Sequence, residues 1–183
     1  MASDAQDISR RQFLRGDYRG RNTVVRPPWA VTQDRFLSLC DRCGLCRDAC
    51  NERLILLTDS GYPRIDFKKG ACTFCGDCAR SCPTGALQKP KRSTIPWRLR
   101  ARISDRCLAF KGVVCQVCVE QCDARAISFP RRSVSAAVPV VDADRCNGCG
   151  ACVAPCPGHA VSMDYARAHG AGDGNSFEEV VCI

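Results

Sequence analysis

Apolar residues fall along this chain in short stretches separated by charged and small residues. Positions 54–57 and 65–67 are apolar at strand spacing and flank a turn at Asp59, Ser60 and Gly61, so strand, turn and strand are predicted there. The stretch AISFPRRSVSAAVPVVD, starting at Ala126, predicts a second pair of short strands. PTGALQ, from Pro83, and PGHAVSM, from Pro157, each read as a turn leading into a short strand. No apolar run nears the ~18 residues that a membrane-spanning helix needs, and no membrane span is predicted.

Composition changes this picture. Leu, Ile, Val and Phe make up about a fifth of the 183 residues, close to the level below which chains stay disordered. A conventional apolar core is therefore not expected. Units of ~50 residues bury too little surface to stay folded without covalent or metal staples. The 17 cysteines are numerous enough to supply them.

Sixteen of the cysteines form four groups: Cys40, Cys43, Cys46, Cys50; Cys72, Cys75, Cys78, Cys82; Cys107, Cys115, Cys118, Cys122; and Cys146, Cys149, Cys152, Cys156. Cys182 is left over. Three groups read C-x2-C-x2-C-x3-C, and the third has its first interval stretched. An odd number and such regular spacing argue against a disulfide framework. Zinc sites come as two separated C-x2-C knuckles rather than three cysteines in one loop. A [4Fe–4S] cubane does call for three thiolates from one loop and a fourth from elsewhere. This is the run of bacterial ferredoxins, in which the fourth cysteine serves the other cluster of a pair.

The groups repeat at a period near 32 residues, since Cys40 precedes Cys72 and Cys50 precedes Cys82 by that interval. The fold expected is α+β: two tandem two-cluster (2[4Fe–4S]) ferredoxin-like modules behind an extended N-terminal arm. The arm covers residues 1–39, module one 40–90, a basic linker 91–105, module two 106–165 and a tail 166–183. A brief helical turn is expected after each fourth cysteine. With local pairing, cluster one takes Cys40, Cys43, Cys46 and Cys82, and cluster two takes Cys72, Cys75, Cys78 and Cys50. Cluster three takes Cys107, Cys115, Cys118 and Cys156, and cluster four takes Cys146, Cys149, Cys152 and Cys122. A nested pairing of group one with four and two with three stays open, at a modest extra cost in loop entropy. So does a three-cluster protein, because the third group is stretched. Pro83 and Pro157 follow the fourth cysteines of groups two and four, while Asn51 and Asp123 stand there in the other two. Gly44, Gly76, Gly148 and Gly150 give room for amides to approach cluster sulfides, or serve as ordinary turn glycines.

The formal net charge is +8. A cluster core of +2 with four thiolates adds about −2 relative to neutral cysteines, so four sites bring the loaded protein near neutrality. Basicity therefore does not point to nucleic acid, and aromatic–basic interleaving is missing. The positive charge is concentrated in the arm and in the linker region, as counter-charge or as a docking surface for an acidic partner. Ser9, Arg10, Arg11, Phe13 and Leu14 match a twin-arginine export motif. The residues that follow, DYRGRNTVVRPPWA, supply no apolar stretch for export, so a cytoplasmic location is expected. Arg10 and Arg11, with Phe13, Leu14 and Trp29 as apolar anchors, are the expected partner-binding residues.

The cysteine arrangement resembles polyferredoxins. The arginine pair, the VVRPPWA stretch, the stretched third group and the final CNGCGACVAPCP together resemble the NapF family of ferredoxin-type proteins, encoded with the periplasmic nitrate reductase. That resemblance implies a cytoplasmic protein with four [4Fe–4S] clusters. It also implies action on the precursor of the molybdenum-containing catalytic subunit, NapA, before export, in maturation or cluster insertion. No general acid, base or nucleophile stands out, His159 and His169 being isolated, so an enzyme is not expected. A plain electron carrier, an iron–sulfur subunit of a redox complex, and a chain whose clusters only fold it are the competing readings.

Overall fold

The computed structural model describes residues 24–90, 96–130 and 138–166. They divide into two units. Residues 24–69 and 75–90 make the first, and residues 70–74, 96–130 and 138–166 the second.

The first unit is organised around a short hairpin. Strand β1 (Ile55–Leu57) runs antiparallel to β2 (Pro63–Ile65), with Ile55 opposite Ile65. Gly61 turns the chain between them at a φ of 80°, which glycine adopts without strain. The second strand lies two residues earlier than its sequence pattern predicts. Pro63 tolerates an edge position, and Asp66 ends the strand by accepting the Lys68 amide at 3.1 Å. Helices Gln33–Leu39, Leu45–Asp48 and Asp77–Arg80 complete the unit. Phe36, at 0% exposure, forms its centre with Leu54, Ile55, Ile65 and Leu87.

Residues 24–39 of the arm expected over residues 1–39 do not form a separate arm, and residues 1–23 lie outside the described residues. Residues 24–39 are part of the first unit: Ala30 bridges Leu87, the Val31 amide donates to the Ala86 carbonyl at 3.1 Å, and the Ile65 amide donates to the Val25 carbonyl at 2.8 Å. The apolar side chains of Pro27, Trp29 and Phe36 account for this, since each is buried.

The second unit contains β3 (Leu99–Ile103), a 3-10 turn Leu108–Lys111, a helix Val117–Glu120, β4 (Ile127–Ser128), β5 (Val140–Val141) and β6 (Val161–Tyr165). β4 and β5 pair as a minimal hairpin, as expected. β3 pairs antiparallel with β6, Leu99 opposite Tyr165 and Ile103 opposite Val161. Within the basic linker expected over 91–105, Leu99–Ile103 is therefore strand. Leu99 and Ala101 point inward while Arg98 and Arg102 are exposed, an alternation that buries one face. Trp97 is buried too and meets Phe74 edge-on at 5.9 Å.

The two units are built alike inside. Each has a hairpin between its cysteine groups, and each pairs the segment before the first group with the segment after the last. The helical turns expected after the fourth cysteines lie elsewhere. Leu45–Asp48, Asp77–Arg80 and Val117–Glu120 each enclose the third cysteine of a group and end before its fourth. Among the described residues, no helix is long and apolar enough to cross a membrane.

Candidate metal centres

Each cysteine loop is bent by residues in left-handed conformation. Arg42, Phe74 and Gly148 lie between the first and second cysteines of their groups, and Gly44, Gly76 and Gly150 directly follow the second. Paired reversals curl the loop so that three side chains converge on one side. A side chain at Gly148 would meet the Leu99 carbonyl at 2.7 Å. Group three departs from this plan. Gln116 stands where the glycine would be, at a φ of −125°, and the extra residues form the turn Leu108–Lys111. Arg53, Gly85, Arg125 and His159, each third after a fourth cysteine, are also left-handed. His159 is thus an exposed turn residue whose amide donates to the Cys156 carbonyl at 3.0 Å.

Three recesses are lined by four cysteines apiece. Cys40, Cys43, Cys46 and Cys82 surround one of about 320 Å³, together with Phe36, Pro63 and Leu87. Cys107, Cys115, Cys118 and Cys156 surround a second of about 340 Å³. Cys122, Cys146, Cys149 and Cys152 surround a third of about 300 Å³. In each, three cysteines of one group meet the fourth cysteine of its neighbour. Of the remaining set, Cys50, Cys75 and Cys78 fall in the first unit. Cys72 falls in the second, where its amide donates to the Cys149 carbonyl at 2.8 Å.

The donor chemistry fits an iron–sulfur core. Among the described residues, no three His, Cys, Asp or Glu side chains gather closely enough to hold a single metal ion. Four thiols spread around one recess suit a cubane, in which each sulfur takes a different iron.

Burial dominates the thiol electrostatics. It pushes Cys46 up to about 11, with Cys40 adding to the shift, and Cys152 up to about 12, with Cys149 adding. Cys118 and Cys149 are raised for the same reason. Cys82 goes the other way. Burial raises it, but the Leu87 amide, the Thr84 hydroxyl and the amides of Thr84 and Ala86 together hold it below the usual thiol range. Two other fourth cysteines, Cys122 and Cys156, each accept an amide as well. Ala126 N–H donates to Cys122 Sγ at 3.2 Å and Ala160 N–H to Cys156 Sγ at 3.3 Å. Amides aimed at sulfur stabilise the thiolate that a metal needs.

Arg10, Arg11, Phe13 and Leu14, expected to bind a partner, lie outside the described residues, as do His169 and Cys182. Trp29, expected as an apolar anchor beside them, is only 9% exposed, and Lys89 covers its ring at 4.8 Å. It packs within the first unit and is not presented to a partner. Sequence reasoning missed Arg26, which is buried against Phe36 and Tyr62. The signal for it was the arginine set directly before two prolines and a tryptophan.

A family profile described as a 4Fe-4S dicluster domain matches residues 39–86 and 112–175. Ferredoxin-type protein NapF of Escherichia coli K12 is 39% identical over 163 residues, covering 89% of this chain and 98% of that protein. Ferredoxin-type protein NapF of Haemophilus influenzae is 37% identical over 169 residues, covering 87% and 95%. Methylamine utilization ferredoxin-type protein MauM of Paracoccus denitrificans is 34% identical over 166 residues, covering 81% and 74%. With its paired dicluster segments and near full-length correspondence, the chain belongs to the NapF family of ferredoxin-type iron–sulfur proteins.

Proposed function

We propose that the chain holds four [4Fe–4S] clusters in two tandem two-cluster modules and passes single electrons to a partner enzyme. The ligand sets are those expected from local pairing: Cys40, Cys43, Cys46 with Cys82; Cys72, Cys75, Cys78 with Cys50; Cys107, Cys115, Cys118 with Cys156; and Cys146, Cys149, Cys152 with Cys122. The meeting of three cysteines from one group with the fourth of its neighbour, repeated in three recesses, supports this most directly. The set around Cys72 rests on spacing. Each cluster supplies one-electron redox chemistry when bound, and the chain's own residues position it, exclude water and direct amides at its sulfurs.

The partner proposed is the cytoplasmic precursor of the periplasmic nitrate reductase catalytic subunit, NapA, which the protein serves by cluster insertion or electron supply. Membership of the NapF family supports this. The similarity to MauM proteins favours a second reading, a general electron-transfer subunit whose scaffold serves more than one enzyme. One experiment separates the two. Anaerobically purified protein should carry about sixteen iron and sixteen labile sulfides. The doubly substituted Arg10→Ala, Arg11→Ala protein should keep that iron yet bind the precursor about tenfold more weakly, as expected for two lost charged contacts. No binding by the original chain would favour the general carrier, whereas unchanged binding by the double variant would mean that Arg10 and Arg11 do not make the contact.

A further inference from the structure

The turn after the fourth cysteine repeats one backbone form at the three recesses. Three residues on, Gly85, Arg125 and His159 are all left-handed. Four residues on, an amide faces the sulfur: Ala86 N–H at Cys82, Ala126 N–H at Cys122 and Ala160 N–H at Cys156. Two residues on stand Thr84, Ala124 and Gly158, and each lines the recess of the cysteine that it follows. The same place in the same turn therefore faces each recess. Of these three residues, only threonine carries a hydroxyl.

Thr84 Oγ1 lies 3.7 Å from Cys82 Sγ, within reach of a hydrogen bond to sulfur. Either atom can donate while the cysteine is a free thiol. A sulfur that ligates iron is a thiolate without a proton, so in the loaded site the hydroxyl is the donor. Thr84 is half-buried, and its branched side chain has few rotamers to choose from, so the hydroxyl is held in place rather than recruited.

We infer that Thr84, acting through Cys82, raises the reduction potential of the cluster held by Cys40, Cys43, Cys46 and Cys82. The inference rests on that ligand set, proposed above. Taking up one electron converts the core from 2+ to 1+ and the site from about −2 to about −3, with no bond made or broken. Some of the added charge falls on the ligand sulfurs. A donor aimed at one of them binds the reduced state more strongly than the oxidised one, and so favours reduction. Thr84 is thus a positioning residue that biases how electrons are shared among the clusters.

The test is a dithionite titration of the full, anaerobically loaded chain, followed by electron paramagnetic resonance, with iron measured on the same samples. The component absent from Cys82→Ala identifies the cluster. Thr84→Val keeps the shape and removes the hydroxyl. It should keep its iron and shift that component to lower potential, leaving the others in place. Thr84→Ser keeps the hydroxyl and removes the methyl, and should stay near the original value. A threonine needed only for packing would give the reverse order, with serine the more disturbed. If Thr84→Val loses iron, Thr84→Ala takes its place, since alanine already stands at position 124. The converse change, Ala124→Ser, should raise the component absent from Cys122→Ala. An unchanged potential in the variant without the hydroxyl, equal shifts in the valine and serine variants, or a shift confined to components that survive Cys82→Ala would overturn the inference while leaving the ligand set intact. If Cys82→Ala keeps all its iron and every component, the ligand set itself has failed and the inference falls with it.

Discussion

Replacing Cys82 with alanine should remove the iron proposed for Cys40, Cys43 and Cys46, and spare that proposed for Cys72, Cys75 and Cys78, its own neighbours in sequence. Cys82 lines the recess of the first group, and its thiolate receives more hydrogen-bond support than that of any other cysteine with a resolved shift. A cubane left with three ligands has an iron open to solvent and is readily lost. Anaerobic iron should therefore fall from about sixteen to about twelve per chain, with sulfide falling in step. Cys156→Ala should do the same to the site of Cys107, Cys115 and Cys118, whose recess it shares. The resonance signals separate the two losses. Iron missing from the Cys72 site in Cys82→Ala, with the Cys40 site intact, would show that each group closes on itself.

Oxidation with chelation should unfold both units rather than leave an empty scaffold. The buried apolar set is small, and in the second unit its core cluster counts Cys118 and Cys152 among its members. Metal binding of this kind is folding free energy, so its removal takes the fold with it. Far-ultraviolet circular dichroism should lose most of its signal as iron is withdrawn, and a native-like spectrum in the iron-free protein would contradict this. Reloading should depend on pH. Cys46, pushed up to about 11, and Cys152, pushed up to about 12, each release a proton on ligation, so assembly should be faster near pH 8.5 than near pH 7.

The cysteine groups and the hairpins were legible in the sequence because their signals are local. Spacing alone marks the loops, and a Gly61 turn between apolar runs marks β1 and β2. What the sequence concealed depended on distant contacts. Leu99–Ile103 carries three basic residues in or beside it and reads as a charged connection, yet its alternation is that of a strand whose partner lies at Val161–Tyr165. Residues 24–39 read as an arm because arginine and proline suggest an extended, solvated chain. Phe36 and the bridge from Ala30 to Leu87 bind them into the first unit. The helical turns shifted for a local reason instead: the left-handed glycines at Gly44 and Gly76 start each turn just ahead of the third cysteine.

The pairing of Leu99 with Tyr165, and of Ala30 with Leu87, brings the two ends of each unit side by side. A polypeptide that enters and leaves a fold at adjacent points can be spliced into a longer chain without being threaded through it. Duplication of one such gene segment would add a whole set of cysteine groups in one step and leave the existing groups in place. The architecture can therefore grow by whole cassettes, so that selection acts on how many centres a chain strings together rather than on rebuilding any one of them.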